Sequence, residues 1–191
     1  MEQKPQFDFK VVVAGPFAAG KTTMIAASAD GPLVATEAPT SGEEAAVKAM
    51  TTVGMEYGTL RRETDLFTVE LRLFGVPGQE RFSFMWDIVS VGMDGLFILV
   101  DASRPETWAA SQTIANYFTR SMHRPVVVGI NQRTHDPDIL QQVKAVVGLP
   151  GAHYVVFNVT DKEQAQDALI DLLLVILAHE ETAADQGFTA A

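Results

Sequence analysis

The sequence predicts an α/β fold: a six-stranded, mostly parallel sheet with helices on both faces. Three observations carry this expectation. Short, almost wholly apolar runs recur at Phe9–Ala14, Gly95–Asp101 and Pro125–Asn131, and such runs suit strands buried on both faces. Each is followed by a segment of helical period, so strand and helix alternate. A glycine-rich turn, GPFAAGKTT, joins the first strand to the first helix.

Taken in order, the strand Phe9–Ala14 leads into that turn, and a helix follows through about Ala29. Residues 31–58 are rich in Gly, Pro, Thr and other small residues and read as one long loop; a loop beyond about 15 residues in a compact domain is usually functional. A short strand is expected near 59–63, turning at Glu63-Thr64-Asp65 into Leu66–Gly75. There Phe67, Val69, Leu71 and Leu73 alternate with Leu66, Thr68, Glu70 and Arg72, as in a half-buried strand. Helices are expected over Arg81–Val91, Glu106–Met122, Pro137–Val147 and Glu163–Glu180, and a last strand over His153–Asn158. In the final helix Ala165, Ala168, Leu169, Leu172, Leu173 and Ile176 fall on one stripe. The expected organisation is a flexible N-terminus at 1–7, one domain over 8–181, and a frayed tail at 182–191.

Composition narrows the function. The chain has 191 residues and a formal net charge of −10, with no basic cluster of the kind a nucleic-acid backbone demands. It lacks cysteine, which excludes disulfides, thiolate metal sites and C-terminal prenylation. No apolar run approaches the roughly 18 residues of a membrane span. The opening MEQKPQFDFK carries no leader-like segment and no myristoylation glycine, so a cytoplasmic protein is expected, recruited to a membrane only through a partner. The four histidines share no ligand spacing, so no zinc site is expected. No Ser-His-Asp or paired-carboxylate arrangement stands out.

Ligands of parallel sheets sit at the carboxyl ends of the strands, which points to the residues just after 14, 75, 101, 131 and 158. Gly15 to Thr22 matches G-x-x-x-x-G-K-[ST] between a strand and a helix. Gly20 permits a turn that aims successive N–H groups at phosphate oxygens, helped by the helix N-terminus. Lys21 would reach the β- and γ-phosphates and the Thr22 hydroxyl would bind Mg²⁺. Phe17 has two readings: a ring beside the γ-phosphate that slows hydrolysis or blocks an incoming arginine, or a ring packed under the loop.

The long loop closes with TTVGMEYG. A hydroxyl there, Thr52, would bind Mg²⁺ only while the γ-phosphate is present and so order the loop. After the next strand comes VPGQERF: Gly78 would present an N–H to the γ-phosphate, and Gln79 would orient an attacking water. The position three residues before Gly78, where most proteins with this turn carry a magnesium-shell acid, is Gly75. Asp101 or Glu37 is a candidate substitute, and a cap on the following helix is an equal reading of Asp101.

Together GPFAAGKT, TTVGMEYG, VPGQERF and the strand-ending Asn131 resemble a Ras-like small GTPase over roughly residues 8–180. The missing acid is similar to one subgroup, the bacterial MglA-like small GTPases and relatives encoded with roadblock (longin-like) regulators. The resemblance implies GTP or GDP with Mg²⁺, held by Gly15, Phe17, Ala18, Ala19, Gly20, Lys21, Thr22 and Thr23. It implies that Thr52 and Gly78 close over the γ-phosphate, and that Asn131, Gln132 and Thr160 line the base. Gln79 and Lys21 would act in a slow conversion of GTP to GDP and phosphate, with Thr22 and Thr52 on the metal. Residues 33–58 and 76–92 would switch between two conformations read by a roadblock-type regulator or another signalling protein.

The departures lie on the base side. Asn131 is followed by Gln132, Arg133 and Thr134, whereas the family pattern has Asp at 134 to accept two guanine N–H bonds. The loss is worth about 1–3 kcal/mol of guanine preference. Asp136 would substitute only after a loop shift, and Arg133 would either stack on the base or stand in solvent. Arg61 and Arg62 read as solvated strand ends or as an internal arginine finger. Two rivals remain open: a pseudo-GTPase interaction module, favoured by Thr134, and a P-loop ATPase or kinase-like enzyme, opposed by Gln79 and by Gly75.

Overall fold

We describe residues 4–35, 37–39, 50–52, 55–120 and 123–188 of the computed structural model, with 37–39, 50–52, 80 and 183–188 described by backbone alone. Among the described residues there are eight strands, two more than expected, and the five expected helices: β1 Gln6–Ala14, α1 Lys21–Ser28, β2 Glu37–Pro39, β3 Met50–Thr52, β4 Glu56–Glu63, β5 Thr68–Gly75, α2 Phe84–Ser90, β6 Gly95–Asp101, α3 Trp108–Thr119, β7 Val126–Asn131, α4 Ile139–Val147, β8 His153–Phe157 and α5 Lys162–Phe188. Six strands form the main sheet in the order β4-β5-β1-β6-β7-β8. Within this sheet only the β4–β5 pair is antiparallel; its other pairs are parallel.

Period-2 alternation along buried strands builds two cores, one on each face of the sheet. Val11 and Val13 of β1, with Phe97 and Leu99 of β6, face α1 and α5. Val12, Ala14, Leu96, Ile98 and Val100 point the other way and pack with Trp86, Ile114, Phe118 and Val143 from α2, α3 and α4. The stripe expected on the last helix, from Ala165 to Ile176, is buried in the first of these cores.

Several boundaries differ from expectation, each for a local reason. Residues 31–58 are not wholly loop: β2 pairs antiparallel with β3, Glu37 opposite Thr52, and Val34 bridges to Tyr57. Strand β4 starts at Glu56 rather than near 59, because its first residues pair with Phe74 and Gly75 across the hairpin. The helices expected at 81 and 106 open with 3₁₀ turns, Glu80–Phe82 and Pro105–Thr107, before α2 and α3 begin. Pro137 stays outside α4, which begins at Ile139. The start of β1 at Gln6, within the segment expected to be flexible, follows from its pairing with Thr68. Likewise α5 continues to Phe188, past the expected end, since no Gly or Pro interrupts 162–186. Among the described residues no helix is long and apolar enough to cross a membrane.

Gly129 sits at the centre of β7, where a Cβ would press into the rings of Phe97 and Phe157. Phe97 is fully buried and cannot swing away. Gly129→Ala should therefore destabilise the domain by about 1–3 kcal/mol, read as a lowered urea midpoint with unchanged slope.

Candidate functional site

The β1–α1 turn is shaped by three residues in the left-handed region. Gly15 leaves β1 at φ +149°, where any Cβ would collide with the Leu99 carbonyl of β6. Ala18 lies at φ +61° and is the only non-glycine residue with positive φ among those described, a strain of about 1–2 kcal/mol. Gly20 heads α1 at φ +105°, and no side chain caps the helix. The first-turn N–H groups are thus left for an anion or solvent.

Lys21 is 8% exposed, and its Nζ donates to the carbonyls of Gly15 (2.9 Å) and Pro16 (2.8 Å). A buried ammonium beside uncapped helix N–H groups is a strongly anion-attracting arrangement. Ala19 is buried in the core below, and Thr23 is exposed on the first turn of α1.

The β5–α2 turn closes on this loop. A Cβ on Gly78 would lie 2.5 Å from the Gly15 carbonyl oxygen and 2.7 Å from the Phe17 nitrogen, so only glycine permits the approach. Trp86 Nε1 donates to the Pro77 carbonyl at 3.1 Å and packs edge-on against Tyr117, 5.0 Å between ring centroids, which ties the turn to α3. Gln79 is buried, and its Oε1 accepts from Arg81 Nε (3.2 Å) and Nη2 (3.0 Å). Phe17 is half-buried and belongs to neither core.

Besides Lys21 a second cation reaches this loop, and it is neither of the arginines weighed as an internal finger. Arg61 and Arg62 lie toward the far end of β4, where Asp30 accepts from the Arg61 backbone N–H at 2.7 Å and stands 3.7 Å from the Arg62 guanidinium. They are strand-end residues. Arg104, from the loop after β6, donates instead to the Phe17 carbonyl at 3.3 Å.

Asp101, a candidate substitute for the missing acid, is committed elsewhere. Its Oδ1 accepts from the backbone N–H and the hydroxyl of Ser103, at 2.9 and 2.6 Å, so it shapes its own loop. The side chains of Glu37 and Thr52 lie outside the described residues. The acid that does stand beside Thr22 is Glu56, 1% exposed, whose Oε1 accepts from the Thr22 hydroxyl. Glu56 pairs with Gly75 across β4 and β5, and a Cβ on Gly75 would overlap Glu56 Oε2. Spacing along the chain points to the carboxyl ends of strands. Because β4 runs against its neighbour, its first residue, not its last, reaches the ligand edge. The coincidence of a glycine where an acid is expected and a glutamate one strand away was the available signal.

On the base side, Asn131 is 3% exposed and spans two loops. Its Nδ2 donates to the Ala19 carbonyl (3.4 Å), and its Oδ1 accepts from the Val159 N–H (3.3 Å). Arg133 and Thr134 are exposed. Gln132 Nε2 donates to the Asp136 carbonyl at 3.1 Å, while the Asp136 carboxylate accepts from the Asp138 N–H (2.9 Å) and Gln142 (3.1 Å). Thr160 turns both its N–H and its hydroxyl onto Asn158 Oδ1, at 3.1 and 2.8 Å. Asp161 holds Gln164 at the start of α5. Asp136 and Asp161, the acids nearest the base loops in sequence, are therefore both engaged in turns. Among the described residues no three His, Asp or Glu gather into a metal cluster.

A model of the Ras family matches residues 10–155, well over half of the chain. The chain belongs to the Ras family. Ras-related protein RABA4c of Arabidopsis thaliana is 26% identical over 106 residues, covering 56% of this chain and 42% of that protein. The matched region is thus under half of that relative's length. With the order β4-β5-β1-β6-β7-β8, this is a Ras-family α/β domain, and such domains bind GTP or GDP with Mg²⁺ in general.

Because Asn131 joins two loops, its amide contributes to stability without any ligand. Asn131→Ala strands the buried Val159 N–H and should cost about 1–3 kcal/mol. We expect a lower melting temperature for the variant in nucleotide-free buffer.

Proposed function

We propose that this chain is a GTP/GDP switch of the bacterial MglA-like type that hydrolyses GTP slowly and changes its affinity for a partner. The observation that carries the reading is the buried Lys21 ammonium at the uncapped α1 turn, with Gly78 closed onto the same loop and Gln79 buried next to it in the chain. Thr22 and Thr52 would hold the magnesium, which when bound neutralises charge on the β- and γ-phosphates. Lys21 and the loop N–H groups stabilise transferred charge, and Gln79 orients water. Slow turnover is supported by Phe17, and by Arg81, whose two N–H groups fill the lone pairs of Gln79 Oε1. The subgroup assignment is supported by Gly75. The partner we propose is a roadblock (longin-like) regulator or another signalling protein, met in the cytoplasm or at a membrane to which that partner recruits the switch.

The exposed Thr134 supports a second reading, a pseudo-GTPase that keeps the fold and binds nucleotide with little base preference. Titration of nucleotide-stripped protein with fluorescent GDP, GTP, ADP and ATP in Mg²⁺ separates the two. The switch requires guanine binding at least about tenfold tighter than adenine, a difference near 1.4 kcal/mol. Equal affinities favour the second reading, and Lys21→Ala should abolish binding in either case. Thr134→Asp should raise guanine over adenine preference by about 1–3 kcal/mol. Single-turnover hydrolysis should quicken in Arg81→Ala by up to about tenfold, a barrier change near 1.4 kcal/mol, as Gln79 Oε1 becomes available to water. An unchanged rate would show that the Arg81 contact does not restrain Gln79.

A further inference from the structure

We propose that Glu56 is the acidic residue of the magnesium shell, delivered from β4 in place of an acid on β5. The inference rests on the nucleotide-switch reading and adds the metal-shell residue that reading leaves open. Three observations support it. The Thr22 hydroxyl donates its one hydrogen to Glu56 Oε1, so its lone pairs face elsewhere and one is available to a cation. Glu56 Oε2 occupies the space a side chain on Gly75 would take, and the two residues are register partners. The carboxylate therefore stands over the position where an acid on β5 would begin. Ile25 of α1 nestles over Gly58 and Gly75, within 2.8 Å of where either Cβ would be. That close helix–sheet approach brings Thr22 to Glu56.

The donor set also fits the ion. Magnesium uses one or two carboxylates together with phosphates and retained waters, rather than an all-protein cage. A single buried glutamate beside a threonine hydroxyl meets that description; a zinc or calcium site would need more protein ligands.

A consequence is a change in which switch the metal governs. Glu56 lies four residues after Thr52 on the segment that follows β3, whereas an acid at 75 would sit at the root of the Gly78–Gln79 turn. Both residues outside the phosphate loop that this reading assigns to the metal, Thr52 and Glu56, then belong to the first switch segment, and the second acts on the nucleotide through Gly78 and Gln79.

The test is Mg²⁺ titration of fluorescent-GDP release from the full chain. Glu56→Gln keeps an acceptor for Thr22 and removes the charge; it should raise the Mg²⁺ midpoint about 10–100-fold, the usual cost of losing a supporting metal contact. Glu56→Gly should lose the response, and adding Gly75→Asp should restore a midpoint within a few-fold of wild type. A wild-type midpoint in Glu56→Gln overturns the inference, since a merely structural glutamate would behave that way. If Glu56→Gln does not fold by circular dichroism, the exchanged pair decides: a recovered midpoint supports the inference and a lost one overturns it. Wild-type protein that binds GDP indifferently to Mg²⁺ overturns the inference and leaves nucleotide binding intact. Wild-type protein that binds no nucleotide overturns both.

Discussion

The buried Lys21 ammonium is the interaction on which the rest of the site depends. A charge taken out of water has to be met by oxygen atoms, and the carbonyls of Gly15 and Pro16 meet it at 2.9 and 2.8 Å. To turn those carbonyls toward Lys21 the chain must leave β1 through backbone conformations that favour glycine, which fixes Gly15 and Gly20 and strains Ala18. No side chain caps the helix that follows, so its first-turn N–H groups are open to an anion. The neighbours then have little latitude. Gly78 must be glycine to lie against the loop, and Asn131 must reach it to join Ala19 to Val159.

That second constraint explains why the base half of the site keeps Asn131 although the acid expected at 134 is Thr134. The amide has a structural duty of its own. It satisfies a buried carbonyl and a buried N–H in two separate loops, so its removal damages the fold before it affects any ligand. Thr134 has no such second duty, being exposed on the loop after β7, and a change there leaves the scaffold intact.

The phosphate half was legible because its residues are adjacent in sequence and the chemistry dictates their types. Gly15, Gly78 and Gln79 follow the carboxyl ends of β1 and β5, where parallel topology places ligands, and Lys21 and Thr22 open the helix just beyond. What escaped reading depended on pairing across the sheet. Glu56 was hidden because strand direction in the β4–β5 hairpin, not spacing along the chain, decides which end of β4 reaches the site. Arg104 was hidden because its contact with Phe17 spans 87 residues, beyond the reach of any local pattern. Asp101 misled for the converse reason: a carboxylate after a strand reads equally as a ligand or as a helix cap, and here Ser103 engages it in the loop instead.

The steric relation between Glu56 and Gly75 also limits how such a site can change over time. An acid introduced at 75 while Glu56 remains would place its Cβ on the glutamate carboxylate. Removing Glu56 first leaves Thr22 without the acceptor of its hydroxyl hydrogen. Either order passes through an impaired intermediate, so the two positions form an epistatic pair that is hard to exchange by single substitutions. On the proposed assignment, the acid on β4 is therefore held in place by Gly75, whose missing side chain leaves the glutamate its room.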